Sequence, residues 1–479
     1  MAYKPTMQCV WFRHDLRVAD NKALSSALAN QAPTIAVYII SESQWQQHHK
    51  STIQIDLIKR RLIELKKELS ELNIPLLILS CPWFKDIHLS LKPVFNDLNV
   101  SHLFANKEYE ANELDRDHKL TDLLPNIHCT FYDDKCTITP GKILNKTQQP
   151  YKVFTPFKKA WREYFYQHFP TIEKVTASVQ LSTPQLNSLL RYSENDFTNS
   201  MSNESKAWSV SNKAILNNMR QFCREKSQHY HEQRDYPAIE GTSQVSPYLA
   251  IGAISAKQCI MRLHLEANNQ LTQGQEIWLD EIIWREFYTH LLHFYPLLSK
   301  NQAFLSFDKY IQWNNDRNKF DQWCKGETGF PIVDAAMKQL NNTGWMHNRL
   351  RMITASFLVK DLHIDWRWGE QYFMSKLIDG DFASNNGGWQ WCASVGCDST
   401  PYFRIFNPTT QSERFDNNGT FIKYWLPELT ILTGKLLHQP NSKPLLTPDN
   451  YVEPIIEHAV QRLKTLEIYK NAKAQDVAS

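Results

Sequence analysis

Glycine is scarce in this sequence. It supplies 14 of 479 residues, about 3 % where about 7 % is usual. This scarcity argues against a collagen-like chain, a protein built on glycine-rich loops and an all-β protein with many turns. Neither G-x-G-x-x-G nor G-x-x-x-x-G-K-[ST] occurs, so an ordinary dinucleotide or triphosphate loop is not expected.

Paired cysteines and long apolar runs are also missing. The nine cysteines are scattered, odd in number and without a C-x-x-C, which disfavours a zinc site or a disulfide framework. No apolar run approaches the ~18 residues of a membrane span, and the first twelve residues lack a secretory pattern. We therefore expect a cytoplasmic protein with no metal site and no membrane contact.

Charge and size leave the partner open. The net charge is +3, from 53 Lys and Arg against 50 Asp and Glu, which allows a nucleic-acid partner without requiring one. The length favours roughly two to four domains.

Tryptophan is unusually abundant at 15 residues, more than the glycines. So many indoles indicate a rigid helical core or aromatic faces used for stacking and redox chemistry.

The first 135 residues alternate short apolar strands with amphipathic helices. Strands are predicted over 9–12, 34–40, 74–79, 101–104 and 127–132, and helices over 55–72, 86–98 and 113–124. The strands lack polar alternation, which is typical of a parallel sheet covered on both faces. Residues 1–135 are therefore predicted to form a doubly wound α/β domain.

The pattern changes after residue 135. Residues 136–206 are predicted to be a long connector, with a short helix within 150–166 and little periodicity from 171 onwards. From 207 to 479 the chain is predicted to be all-α. The glycines of this part, such as Gly241, Gly252, Gly344 and Gly387–Gly388, are expected in turns.

Four segments of the helical part carry polar residues in unusual combinations. At 242–247, Ser246 and Pro247 are typical of an N-cap and first helical position, so the hydroxyls of Thr242 and Ser243 indicate an anion site or an ordinary capped helix. Within 277–295, one helix face is predicted to carry Glu281, Trp284, Arg285 and Tyr288. The alternative there is a Glu281–Arg285 ion pair on a solvated face.

The third segment is 345–362, where Asn348 and Met352 are one helical turn apart. It is read as part of a site or as a basic surface turn with a buried methionine. A fourth segment, DGDFASNNGGWQW at 379–391, is predicted to be a loop because of its turn residues. Two acids and two amides beside an indole pair favour a functional loop.

Five motifs together carry a resemblance: WFRHDLRVADN (11–21), TSQVSPYLAIG (242–252), WREFY (284–288), GWMHNRLRM (344–352) and DGDFASNNGGWQW (379–391). In this order they resemble the photolyase/cryptochrome family, over about residues 8–470. Within it the chain is most similar to the folate-type, class I cyclobutane pyrimidine dimer photolyases of bacteria. The resemblance implies an α/β antenna domain, a connector and a helical domain that binds FAD.

The resemblance also implies the residues around FAD. An ion pair of Arg351 and Asp379 is expected beside the isoalloxazine, with the Asn385 amide facing flavin N5. An amide suits that position because it both donates and accepts. The further expected FAD contacts are Tyr230, Thr242, Ser243, Gln244, Val245, Ser246, Trp278, Gly380 and Asp381.

The implied reaction is photochemical repair of DNA, single- or double-stranded, by a protein expected to act as a monomer. Excited reduced FAD gives an electron to a flipped-out dimer, the cyclobutane ring opens and the electron returns. The implied relay that reduces FAD runs through Trp389, Trp366 and Trp313. Glu281 is expected to stabilise the dimer radical, and Trp284 and Trp391 to stack on the flipped lesion. The expected DNA contacts are Arg234, Glu281, Trp284, Arg285, Tyr288, Asn348, Arg349, Met352, Trp391 and Gln411.

The family includes other functions. Enzymes for the (6-4) photoproduct carry two histidines where this chain has Asn348 and Met352, so that substrate is disfavoured. A blue-light sensor without repair activity would lose several of Glu281, Trp284, Asn348, Met352 and Trp391, which are all present. A plain flavin oxidoreductase would need a nicotinamide site, for which no fingerprint exists.

The resemblance further implies an antenna chromophore. His48, Asn112, Glu113 and Lys300 match positions that contact 5,10-methenyltetrahydrofolate in folate-type relatives. An 8-hydroxy-deazaflavin is the alternative chromophore. For His48 alone, a plain surface histidine is the simpler interpretation.

Overall fold

A computed structural model describes residues 6–192, 202 and 204–478. By its internal contacts the chain divides into two compact units. Unit 1 comprises Met1–Glu225 and Ser243–Lys300, and unit 2 comprises Lys226–Thr242 and Asn301–Ser479. The predicted helical region 207–479 thus contributes to both units, and the predicted domain boundaries stay a prediction.

Five strands and the helices between them follow one another from the start of the described chain. The strands are β1 (Met7–Phe12), β2 (Thr34–Ile40), β3 (Leu76–Ser80), β4 (Val100–Asn106) and β5 (His128–Tyr132). The helices up to residue 294 are α1 (Lys22–Ala29), α2 (Glu42–Gln47), α3 (Thr52–Ser70), α4 (Ile87–Leu98), α5 (Ala111–Leu123), α6 (Phe154–Gln167), α7 (Thr183–Leu190), α8 (Asn212–Gln221), α9 (Tyr230–Gln233), α10 (Ser246–Ala250), α11 (Ala256–Glu266) and α12 (Gln273–Phe294).

The remaining helices belong to unit 2. They are α13 (Arg317–Lys325), α14 (Pro331–Thr343), α15 (Asn348–Ser356), α16 (Trp366–Lys376), α17 (Phe382–Cys392), α18 (Pro408–Phe415), α19 (Thr420–Trp425), α20 (Lys435–His438) and α21 (His458–Ala478). None of the helices in the described ranges is both long enough and apolar enough to cross a membrane.

The sheet of unit 1 is parallel, with strand order β3-β2-β1-β4-β5. Cys9 of β1 lies opposite Ile35 of β2 on one side and Leu103 of β4 on the other. Strands β1 and β2 are buried along their whole length, as continuous apolar runs in a doubly wound sheet should be. The predicted fold class is confirmed, and all five predicted strands are present.

Helices α1 and α2 were not predicted, because eight and six residues give too little periodicity to recognise. The N-cap of α1 is Asn21, whose side chain accepts a hydrogen bond from the Leu24 N–H at 3.1 Å. The region predicted as a connector contains α6 and also α7, which the sequence did not indicate. Residues 193–201 and 203 of that region lie outside the described residues.

Helix α12 is the longest helix of unit 1, and its start is well specified. Thr272 and Gln275 form a capping box, in which each side chain bonds the backbone N–H of the other residue. Twelve of its 22 residues are buried on more than one side of the helix. Buried polar side chains on such a helix need hydrogen-bonding partners. The stripe with Glu281 and Trp284 stays partly accessible to a ligand.

The core of unit 2 is rich in tryptophan. Trp323, Trp366 and Trp389 are almost completely buried, together with leucines, valines and alanines from α13 to α17. The large tryptophan count therefore reflects in part a rigid helical core, one of the two roles that the composition indicated.

The predicted loop at 379–391 is wrong for most of its length, because residues 382–392 form α17. Asp381 is the N-cap and accepts a hydrogen bond from the Ser384 N–H at 3.0 Å. Gly387 and Gly388 therefore lie within a helix and not in a turn. Tertiary packing overrides their low helix propensity, since Trp389 in the next turn is buried in the core.

Candidate active site

A cavity of about 150 Å³ opens in unit 2 between α15, α16 and α17. Most of its residues come from two of the five motifs, those at 344–352 and 379–391. Its lining comprises Asn348, Arg351, Met352, Ala355, Phe373, Leu377, Asp379, Asp381, Ser384, Asn385, Gly388, Trp389 and Cys392. Seven of the predicted site residues in 344–352 and 379–391 are thus brought together around one space, whereas Arg349, Gly380 and Trp391 are not among its lining residues.

The predicted ion pair of Arg351 and Asp379 is present. Arg351 Nη2 donates to the two carboxylate oxygens of Asp379 at 3.0 and 2.8 Å. The Arg351 Nε–H donates to the Met346 carbonyl at 2.8 Å, so the guanidinium is held at both ends. The Asp379 side chain is 2 % exposed and that of Arg351 25 %. The Arg351 guanidinium therefore faces the cavity, and the buried carboxylate of Asp379 fixes its orientation.

Asn385 is oriented by a network that the sequence did not reveal. Its Nδ2 donates to the Glu370 carbonyl oxygen at 3.0 Å, while Asn386 Nδ2 donates to the Glu370 carboxyl at 3.0 Å. Gln390 Nε2 in turn donates to Asn386 Oδ1 at 2.8 Å. Burial raises the pKa of Glu370 to about 7, with the Asn386 hydrogen bond opposing that rise. Only the i,i+4 spacing of Asn386 and Gln390 gave a signal in the sequence.

The cavity fits one edge of a flat, partly anionic ring system such as the flavin of FAD. A Cβ built on Gly388 would meet nothing within 4 Å, so this glycine leaves open space on the helix surface that lines the cavity. Among the lining residues, Arg351 of α15 supplies a cation and Asn385 of α17 an amide. A planar ring needs such a flat approach, and an anionic ring is stabilised by such a cation.

The predicted relay tryptophans share the core of unit 2. Trp389 lines the cavity and is 2 % exposed, Trp366 is fully buried, and Trp313 packs on the rim of the same core. The Trp366 Nε1–H donates to Asp308 Oδ1 at 3.1 Å. Trp323, which the sequence did not single out, lies edge-on to Trp389 with ring centroids 6.1 Å apart.

The other predicted residues of unit 2 lie in several elements. Tyr230 in α9 is buried, and the Arg234 guanidinium lies over its ring at 5.4 Å. Arg349 Nη2 donates to Asp235 Oδ1 at 2.7 Å. Trp391 packs against the unit 2 core, and Gln411 is half-buried in α18. Their predicted contacts with FAD or DNA stay predictions.

The hydroxyl-rich turn before α10 differs from its prediction in one respect. Ser246 is not the N-cap: the helix begins at Ser246, Val245 occupies the cap position without a side-chain bond, and the helix is only five residues long. Gln244 has a φ of 49°, a left-handed conformation. In unit 1, the Trp278 Nε1–H donates to Ser243 Oγ at 3.3 Å, which joins two of the predicted cofactor contacts.

One stripe of α12 carries the predicted Glu281, Trp284, Arg285 and Tyr288, all of them half-buried. The rings of Trp284 and Tyr288 lie 5.6 Å apart. Arg285 donates to two backbone carbonyls, those of Lys135 at 3.1 Å and Leu249 at 3.4 Å. Arg285 thus has a structural role in unit 1 in addition to any contact with DNA.

The four predicted antenna residues meet in unit 1. Asn112 Nδ2 donates to His48 Nε2 at 2.7 Å, Lys300 Nζ donates to Asn112 Oδ1, and His48 Nδ1 lies 3.5 Å from Glu113 Oε1. Burial lowers the pKa of His48 to about 4 and raises that of Glu113 to about 8, and Glu110 adds to the latter shift. At neutral pH the imidazole is therefore uncharged and the Glu113 carboxyl is largely protonated.

Glu113 has a further property of interest. Its Oε2 atom is buried and has no hydrogen-bond partner among the described residues. A buried polar atom without a partner is costly, and a ligand with a complementary polar group would supply one. The cluster of His48, Asn112, Glu113 and Lys300 therefore fits a small ligand with several hydrogen-bonding groups, such as a pterin.

A second buried cluster in unit 1 is explained by hydrogen bonds. Cys136, Glu286 and His290 each offer one possible ligand atom, all within 4.8 Å of one another. The Glu286 carboxylate already accepts from the Thr137 N–H at 2.5 Å and from Trp161 Nε1–H at 2.7 Å. These bonds join α12 to α6 and to the chain after β5. The cluster therefore holds the start of the predicted connector against α12.

Comparison with protein families gives two matches that together cover most of the chain. The family described as DNA photolyase matches residues 8–174, and the family described as the FAD binding domain of DNA photolyase matches residues 278–471. The cavity of unit 2 lies within the second range. The prediction of FAD as cofactor is confirmed by this match.

Among curated relatives, the deoxyribodipyrimidine photo-lyase of Vibrio cholerae is 49 % identical over 98 % of this chain and 100 % of its own. That of Escherichia coli is 46 % identical over 98 % of this chain and 99 % of its own. Among solved structures, a class III photolyase from Agrobacterium tumefaciens has a TM-score of 0.84 at 31 % identity, covering 99 % of both chains. A cryptochrome from Synechocystis has a TM-score of 0.82 at 26 % identity, covering 98 % of this chain and 100 % of its own. The chain belongs to the DNA photolyase family.

Proposed function

We infer that this protein is a lyase that splits cyclobutane pyrimidine dimers in UV-damaged DNA, with light as its energy source. The observation that carries this proposal is the 49 % identity to a deoxyribodipyrimidine photo-lyase over the full length of that relative. The choice of dimer over (6-4) photoproduct rests on Asn348 and Met352, since enzymes for the latter lesion resemble this chain but carry histidines there. Both residues line the cavity of unit 2.

FAD supplies a light-absorbing electron donor when it is bound. We propose that Arg351 lowers the energy of an anionic ring beside it, and that Asp379 keeps its guanidinium in place. The Asn385 amide is held by the Glu370 carbonyl, so it presents a fixed hydrogen-bonding edge at low entropic cost. The further proposed FAD contacts are Tyr230, Thr242, Ser243, Gln244, Val245, Ser246, Trp278, Gly380 and Asp381.

The proposed lesion contacts follow from side-chain chemistry. Trp284 and Trp391 present indole faces on which an unstacked base can lie. Glu281 offers a carboxyl that hydrogen-bonds a base edge, and Asn348 offers an amide that does the same. Arg234, Arg349 and Gln411 are proposed to contact the DNA backbone, which fixes register without reading sequence.

Two accessory functions complete the proposal. Trp389, Trp366 and Trp313 would carry an oxidising equivalent outward while FAD is being reduced by light. The cluster of His48, Asn112, Glu113 and Lys300 would hold a methenyltetrahydrofolate antenna, in which the protonated Glu113 donates to the pterin. We also propose a cytoplasmic monomer that accepts single- or double-stranded DNA.

The test of the main proposal uses purified protein with chemically reduced FAD. It is mixed with UV-irradiated oligothymidylate, and the ultraviolet absorbance of intact thymine is followed in the dark and then in blue light. Recovery of absorbance only in the light is the expected result. Repair of a (6-4) oligonucleotide alone would assign the other substrate, and no recovery with either lesion would favour a sensor.

The antenna proposal has its own measurement. Protein refolded or incubated with methenyltetrahydrofolate should gain a near-ultraviolet absorption band that Asn112→Ala weakens, because Asn112 joins His48 to Lys300. Asn342→Ala removes an exposed asparagine of unit 2 and serves as the control. Binding of a deazaflavin in preference to the folate would overturn the assignment.

A further inference from the structure

An acidic side chain, Asp235, stands between two arginines that we have proposed as contacts to the DNA backbone. Its Oδ1 lies 2.7 Å from Arg349 Nη2 and 3.8 Å from Arg234 Nε. The side chains of all three are between 18 and 34 % exposed, so solvent and a large ligand can reach them. The carboxylate therefore neutralises part of the positive charge at this place.

The Arg349 guanidinium is held from several directions. It lies 4.5 Å from the ring centroid of Phe415, and its Nη1 lies 3.8 Å from the sulfur of Met352, which lines the cavity. Its Nε is buried and has no hydrogen-bond partner within the described part of the chain. Asp235 thus satisfies only part of a planar group that has five N–H donors.

A phosphate and a carboxylate compete for the same guanidinium edge, because both accept two parallel N–H bonds. We propose that Asp235 is an internal competitor of DNA phosphate for Arg349 and Arg234, and that it limits the affinity of the protein for the DNA backbone. This proposal rests on the proposed function, since it presumes that the two arginines meet DNA.

This competition should weaken binding to undamaged DNA more than binding to a lesion. Backbone contacts supply nearly all of the free energy of non-specific binding, whereas lesion binding adds contacts within the cavity. A protein that must find rare lesions is slowed by tight binding to intact DNA. An acid that weakens backbone contacts, placed beside the cavity wall, opposes such trapping without blocking the cavity.

The test is Asp235→Asn, which keeps the shape and removes the charge. Affinity for an undamaged duplex should rise about fivefold, as expected when one partly exposed ion pair no longer competes. The logarithmic salt dependence should become steeper by nearly one unit for each arginine released to a phosphate. Both quantities come from fluorescence anisotropy titrations at several salt concentrations.

The matched control is Asp449→Asn, which makes the same charge change at an exposed position of unit 2. It should leave the salt slope unchanged. The effect of Asp235→Asn should also vanish in an Arg234→Gln/Arg349→Gln background, because the released partners are then absent.

Three results would overturn the proposal. An effect equal to that of Asp449→Asn would mean that only net charge matters. Weaker binding of Asp235→Asn to DNA would mean that the acid positions Arg349 for the phosphate. Absence of DNA binding by the wild type would remove the competition altogether. The same wild-type preparation is also assayed for light-driven dimer repair. If it repairs dimers while one of these results is obtained, the competition proposal fails and the proposed function stands.

Discussion

The indole of Trp284 lies against the ring of Phe154, with centroids 3.6 Å apart and planes 9° from parallel. Phe154 is the first residue of α6 and Trp284 belongs to α12, so the contact joins the two helices within unit 1. One face of the indole is therefore covered by protein. A base that stacks on Trp284, as we propose, would have to use the opposite face, and Phe154 fixes the plane of that face.

Phe154→Leu should therefore weaken binding of a dimer-containing oligonucleotide about threefold to tenfold, since an aromatic pair contributes about 0.5–1.5 kcal/mol beyond its buried area. The measurement is competition binding in the dark. Phe157→Leu is the control: Phe157 is as well buried in the same helix and shares the neighbour Phe287, but its other ring contacts are with Tyr151 and His290 instead of Trp284. Equal loss of dimer affinity in both variants would show that α6 matters only for stability.

Trp313→Phe tests the proposed relay. Trp313 lies at the rim of the unit 2 core, whereas Trp366 and Trp389 are buried. Of the three, Trp313 is therefore the one that an external reductant can most easily reduce. Photoreduction of bound FAD in the presence of a thiol should be abolished. Repair by chemically reduced protein should stay nearly intact, because repair returns its electron.

Trp425→Phe makes the same change in another partly buried indole at the edge of this core and should leave photoreduction unaltered. Transient absorption after a laser flash compares the two variants directly. If Trp313→Phe is photoreduced at the wild-type rate, electrons reach FAD by another route, for which Trp323 beside Trp389 is the first residue to test.

Glu370→Gln tests the network behind Asn385 through its pH dependence. Burial raises the pKa of Glu370 from 4.5 to about 7, so the folded state holds this proton more tightly than the unfolded state between those values. The free energy of unfolding of the wild type should therefore fall as the pH rises from about 4.5 to about 7. Glutamine imitates the protonated carboxyl and should lose this dependence.

We expect the two proteins to be similarly stable near pH 5 and the variant to be more stable near pH 8, by up to about 3 kcal/mol. Urea unfolding at both pH values provides the measurement. Glu327→Gln, an exposed position of unit 2, is the control and should give a difference that is independent of pH. A Glu370→Gln variant that is less stable at the higher pH would contradict the assigned protonation.

The sequence predicted the fold of unit 1 well because each strand is a continuous apolar run, and β2 was located to the residue. It also singled out seven of the residues that line the cavity, since the motifs are long, whereas their binding roles stay predictions. The helix α17 escaped prediction because its helical state depends on burial of Trp389 and on the Asp381 cap, and neither follows from a Gly-Gly pair. Glu370 and Asp235 were not predicted because Asn386 and Arg349, which donate hydrogen bonds to them, are 16 and 114 residues away in sequence.

Glu281→Gln is the strongest test of the catalytic assignment. Glu281 is half-buried on α12, one turn before Trp284, so a base that stacked on this indole would lie near its carboxyl. If the carboxyl is protonated in a desolvated complex, it donates a hydrogen bond to a base carbonyl and stabilises negative charge on the dimer. Glutamine keeps a donor and should retain part of the repair yield.

Glu281→Ala removes the donor and should lower the repair quantum yield several-fold, with FAD content and photoreduction unchanged. The competing interpretation is that Glu281 serves Arg285 and hence stability. Arg285 already donates to the carbonyls of Lys135 and Leu249, which hold its guanidinium without a carboxylate. Loss of the Glu281 carboxylate should therefore leave the position of Arg285 unchanged. An unaltered quantum yield in Glu281→Ala, together with a clearly lowered melting temperature, would show that the residue acts in folding and not in repair.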